Sequence, residues 1–126
     1  MDFSQIAENV LSLFSQDTLQ LMAYCSTQHA AGFSRQMALA AACTSIEEDA
    51  AAHRARGDLL KAEHCLSFLL DEKEIACDVP REQLASLFRL RAICRADQGK
   101  TEAATQDGME SLRLNPHVLE VSGWRV

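Results

Sequence analysis

Gly99-Lys100-Thr101-Glu102-Ala103-Ala104, closed by Ser111-Leu112-Arg113-Leu114-Asn115-Pro116, decides how this chain is read. A glycine corner opens a helical stretch, and a proline stops it. Its key residues also have counterparts 42 positions earlier: Gly57 for Gly99, Ala62 for Ala104 and Leu70 for Leu112. Ahead of the corner, Ala50 and Ala92 keep the same offset, as do Ile46 and Phe88. A fixed period of this length marks a helix-turn-helix unit written twice. Such units stack and offer grooves to other proteins.

Composition agrees with helices. The chain holds 19 Ala and 16 Leu against nine Val plus Ile. Ala and Leu lead the helix scale, whereas strands favour β-branched residues. The expected fold is all-α, with about six helices in a single domain spanning residues 1–126. Residues 3–42 would form a helical cap, residues 44–116 two repeat-like hairpins, and residues 117–126 a tail carrying Trp124.

The first helix is expected from about Ser4 to Phe14, where Phe3, Ile6, Ala7, Val10 and Phe14 follow a helical stripe. A second follows a cap at Asp17, with Gln20 completing a capping box, and carries Leu19, Met22, Cys25 and His29 to near Gly32. From Ser34 to Arg56 the sequence allows one long helix or a fresh start capped by Ser45. Leu59 to Glu72 forms the next, and Lys73 to Arg81 the longest loop, which Pro80 closes. The last two helices run from about Arg81 to Gln98 and from Thr101 to Leu114.

A net charge of −6 argues against nucleic acid, which needs a concentrated cationic face. Arg89, Arg91 and Arg95 are read as solvated surface residues. Five cysteines at irregular spacing (Cys25, Cys43, Cys65, Cys77, Cys94) suit buried reduced thiols better than a disulfide framework. Met1-Asp2-Phe3-Ser4 has no cationic lead-in, and no run reaches the length of a membrane span. The expected location is the cytoplasm, without membrane insertion.

The repeat carries a resemblance. The Gly99–Ala104 and Ser111–Pro116 segments resemble the second half of a tetratricopeptide repeat. Phe88 and Ala92 stand where that family places a large apolar and a small residue in its first helix. Ile46, Ala50, Gly57, Ala62 and Leu70 match in the earlier unit. Departures stand beside the matches. Asp49 and Arg91 occupy a position usually given to Leu, and His53 and Arg95 one usually aromatic. Leu69 replaces a small residue and Glu74 the proline, and the period is 42. The resemblance implies a groove lined by Thr44, Glu47, Ala51 and Arg54 in one unit and Ser86, Arg89, Ile93 and Ala96 in the other. These lack the Lys/Asn set of the family's carboxylate clamp. Glu47, Ala51, Arg54, Arg89, Ile93 and Ala96 are therefore the expected contacts for a protein partner presenting an amphipathic helix.

Small standalone proteins of this kind resemble the helical-repeat chaperones of bacterial type III secretion. The stretch Phe88 to Ala104 is similar to the needle-chaperone class. The resemblance implies a non-catalytic binding module or chaperone. The alternative is a structural subunit or homodimer using Phe3, Val10, Phe14 and Leu21.

Chemistry finds little support. Cys25 with His29, and His64 beside Cys65, lack closed zinc-site spacing and read as core thiols near histidines. Glu47-Glu48-Asp49 point in different directions on a helix, as a solvated turn does. No phosphate-binding or nucleophile-elbow motif occurs. No enzyme activity, metal or cofactor is expected.

Overall fold

The computed structural model describes residues 12–25, 32–72 and 76–117. Those residues form five helices: α1 (Gln16–Cys25), α2 (Gly32–Ala55), α3 (Leu59–Leu70), α4 (Arg81–Asp97) and α5 (Thr101–Leu114). The fold is all-α, with no strand among the described residues. Most of the helix expected from Ser4 to Phe14, His29, Lys73, Glu74 and the Trp124 tail lie outside them.

The N-terminus of α1 departs from expectation. Ser15, not Asp17, is the cap: the Thr18 backbone N–H donates to Ser15 Oγ at 3.3 Å, and the Leu19 N–H to the Ser15 carbonyl. Asp17 sits inside the first turn instead. Gly32 begins a helix rather than ending one. The open choice over residues 34–56 resolves to one continuous helix of 24 residues. Ser45 does not restart it, because its hydroxyl is engaged by Thr18 on α1.

The two glycine corners are the same structure twice. Gly57 has φ 85° and Gly99 φ 81°, values that glycine adopts without steric cost. Gly57 N–H donates to the Arg54 carbonyl at 3.0 Å, and Gly99 N–H to that of Ala96 at 3.0 Å. One residue on, Asp58 reaches the His53 carbonyl and Lys100 that of Arg95, both at 2.9 Å. Backbone angles at Asp58 (−85°, 67°) and Lys100 (−83°, 66°) also coincide. Every partner is shifted by 42. Neither Asp58 nor Lys100 adds a side-chain cap.

Each helix packs on the next in sequence, and α2 also touches α4. α2 and α4 run in the same direction: Gln83 Nε2 donates to the Ala40 carbonyl at 2.9 Å, while Arg54 meets Asp97 at 3.0 Å. α3 runs opposite to α4, since Glu63 pairs with Arg95 and Asp71 with Arg91. Ile46, Leu66, Leu87, Cys43, Cys65 and Cys94 are fully enclosed at the centre. Leu13 and Phe14 join that core, Phe14 meeting Phe68 edge to face at 5.3 Å. Phe14 is thus unavailable to the dimer surface proposed for it. Cys77 is exposed, unlike the buried thiol expected there, because it lies in the turn before Pro80.

Candidate functional site

Positions where the sequence departs from the repeat pattern turn out to hold the molecule together. Arg91 is buried and forks onto Asp107 of α5, with Nε to Oδ2 at 2.9 Å and Nη2 to Oδ1 at 2.8 Å. Its Nη1 reaches back to Ser67 and Asp71 of α3, each at 3.1 Å. Arg95 joins Asp107 at 2.9 Å and Glu63 at 2.8 Å. Gln98 and Lys100 complete the shell around Glu63, both at 2.8 Å. Burial on its own would raise the Glu63 carboxyl. Hydrogen bonds from Lys100, Arg95 and Gln98, with the Lys100 charge, outweigh it and hold the group down at about 2. Arg91 is likewise kept firmly protonated: burial works against its charge, but Asp107 and Asp71 prevail. Reading Arg91 and Arg95 as solvated surface residues was wrong. Their acidic partners lie 12 to 32 residues away in sequence, out of reach of a local reading.

The counterparts in the first hairpin do a smaller version of the same job. Asp49 accepts from the Ser15 N–H at 3.0 Å and from Thr18 Oγ1 at 2.7 Å. His53 Nε2–H donates to the Leu13 carbonyl at 2.8 Å, while Nδ1 accepts from Arg56, an arrangement that selects one tautomer. Polar groups on the first helix of each hairpin thus tie it to the segment before.

Among the described residues, nothing covers the opposite face of the second hairpin. Between α4 and α5 runs a groove of about 460 Å³, walled by Ala92, Ile93, Ala96, Ala104, Met109 and Leu112. Asp97 and the hydroxyl-bearing Thr101 and Thr105 are its polar groups, and Gly108 contributes bare backbone. The volume is typical of ligand pockets, but those fix small molecules with converging polar groups. Seven of its ten lining residues, counting Gly108, are apolar.

The six expected contact residues fall into three settings. Ile93 and Ala96 wall the open groove. Ala51 and Arg54, both exposed, line a separate surface cleft with Ala55, Leu59, Leu90 and Asp97, between the first hairpin and α4. Glu47 and Arg89 line neither, but their charges interact: burial raises the Glu47 carboxyl, Arg89 pulls it down, and Glu48 pushes it up again. Arg89 Nε is buried without a hydrogen bond. Six groove residues on α5, Thr101 through Leu112, were not among the contacts expected from the sequence. Gly108, standing 42 after the fully buried Leu66, was the available signal for them.

Burial, with nearby negative charge, pushes the Cys43 and Cys65 thiols up to about 12, which leaves almost no thiolate at neutral pH. No cluster of three potential metal ligands occurs among the described residues. None of their helices is long and apolar enough to cross a membrane. Compared with known proteins, the chain matches no family model, no curated protein and no solved structure.

Proposed function

We propose that this chain is a non-catalytic, tetratricopeptide-like protein-binding module that holds an amphipathic helix of a partner in the α4–α5 groove. One observation carries the reading. The face of α2–α3 on which α4 packs recurs 42 residues later on α4–α5, where no further helix covers it among the described residues. Ala50, Ala62, Leu66 and Leu70 are buried in the core of the first hairpin, and Ala92, Ala104, Gly108 and Leu112 line the groove at the same relative positions. A surface that takes a helix in one copy is suited to take a helix in the other.

Capture from an extract of the native cells tests this. Ile93→Asp should abolish partner capture while helical circular dichroism is retained. Met109→Asp should act alike, and its side chain is 66% exposed, so folding is not at stake. Unchanged capture by both variants would move the site elsewhere. A chaperone role in type III secretion is the specific form of this reading that the resemblance suggests, and recovery of a secretion subunit in the same experiment would support it. The rival reading, an assembly subunit or homodimer, calls for size to rise with protein concentration.

A further inference from the structure

We infer that the partner helix lies on α4–α5 as α4 lies on α2–α3, and that it carries an acidic residue where α4 carries Arg91. The inference rests on the helix-binding reading above and specifies the partner's chemistry. On α3 the residues that meet the cations of α4 form one row at helical spacing, Glu63, Ser67 and Asp71. Adding 42 to each gives Thr105, Met109 and Arg113 on α5. All three are exposed.

The row has changed sign. Where α4 sets Arg95 against Glu63, a helix on α5 meets the neutral Thr105, so no charge is required there. Where α4 sets Arg91 against Ser67 and Asp71, the visiting helix meets Met109 and Arg113. A glutamate fits that position, its methylenes lying along Met109 and its carboxylate reaching the guanidinium. Arg113 is now held by Glu110 on its own helix, in a pair whose arginine is 62% exposed and therefore contributes little. Exchanging that partner for an incoming carboxylate costs correspondingly little.

The same inversion argues against a second copy as the occupant. Repeat stacking between copies would be head-to-tail, a geometry that propagates into filaments unless something stops it. An α4 helix presented to this groove would place Arg91 against Arg113, and like charges at a contact reject the wrong partner. α4 is moreover committed to its own core through Leu87 and Cys94.

The test uses two synthetic helical peptides with the sequence of residues 81–97, both carrying Arg95→Ala and differing only in whether Arg91→Glu is present. Each is titrated into the full chain by fluorescence anisotropy at low salt. The peptide with Arg91→Glu should bind about tenfold tighter. Arg113→Glu in the protein should reverse that order, and added salt should shrink the difference. Equal affinities, unaffected by Arg113→Glu but abolished by Ile93→Asp, would overturn the charge assignment and leave the groove reading standing. No binding by either peptide, or binding indifferent to both Ile93→Asp and Met109→Asp, would overturn both. Tighter binding of both peptides after removal of residues 118–126, or a dimer disrupted by Ile93→Asp, would give the groove to the chain itself and defeat the proposal.

Discussion

Hairpin α2–α3 and hairpin α4–α5 share a corner, bond for bond, yet differ in how each is fixed to its surroundings. In the first, Asp49 and His53 use hydroxyls and backbone groups of residues 13–18. In the second, the same two positions hold Arg91 and Arg95, which bind the buried carboxylates of Asp107 and Glu63 and the exposed one of Asp71. Their forward faces differ too: α4 packs on the first, and no described helix packs on the second, which is left as a groove. Backbone geometry is therefore the repeated part, and side-chain chemistry is what distinguishes the copies.

The strongest way to break that comparison is to remove the acid that joins α4 to α5. Asp107 is 4% exposed and accepts from both Arg91 and Arg95. Asp107→Ala should cost about 3–5 kcal/mol, because it leaves buried guanidinium groups short of counter-charge. Asp49→Ala, in the first hairpin, should cost only about 1–2 kcal/mol, since hydroxyl and backbone donors are what it leaves unpaired. Urea midpoints of the two variants measure the difference. Equal losses would mean that the ionic network is no stronger a tie than the hydroxyl one.

Acid probes the same tie without a mutation. Glu63 titrates in the folded chain at about 2, below its ordinary value of 4.5. A depressed carboxyl contributes its full stabilisation above the unfolded value and loses it as pH falls through the folded one. Stability should thus hold above about pH 5 and decline between about 4.5 and 2, by on the order of 2 kcal/mol from this group. Glu63→Gln should flatten that part of a urea-midpoint profile. An unchanged slope would show that Lys100, Arg95 and Gln98 do not favour the charged form.

How far the sequence foretold this molecule follows from the range of each interaction. Helices and corners were readable because glycine, proline and alanine act through the local backbone: Thr101–Leu114 was placed to the residue. Ser15 as the cap was less visible, because Asp17 and Gln20 offered an equally good local pattern. Arg91 and Arg95 looked like oddities of the repeat because Asp71, Glu63 and Asp107 come together only in the fold. Ile93 and Ala96, expected from the sequence as partner contacts, line the groove on α4, and no residue of its α5 wall was among those contacts. A groove needs two helices, and the contacts expected from the sequence lie on α2 and α4, none on α5.

Gly57 and Gly99 sharpen the shared half of the comparison. No atom lies within 4 Å of a Cβ added at either, so substitution by alanine meets only the left-handed backbone penalty. That penalty is about 1–2 kcal/mol at each site. Gly57→Ala and Gly99→Ala should therefore shift the thermal midpoint by the same amount. A clear inequality would show that the two corners, alike in geometry, carry different strain.

The smallest expected effect lies at the seam between the hairpins. Arg54 and Asp97 pair at 3.0 Å with 44% and 40% of their side chains exposed, and Asp97 borders both the cleft beside Ala51 and the α4–α5 groove. Water screens such a pair, so Asp97→Ala should cost less than about 1 kcal/mol, and less still in high salt. The position nevertheless has a use. Since its loss hardly touches folding, any change in helix-peptide affinity on Asp97→Ala reports the groove mouth directly. A larger stability loss would instead mean that this exposed pair helps to clamp α2 to α4. The seam would then belong with the Arg91 network among the ties that distinguish the second hairpin from the first.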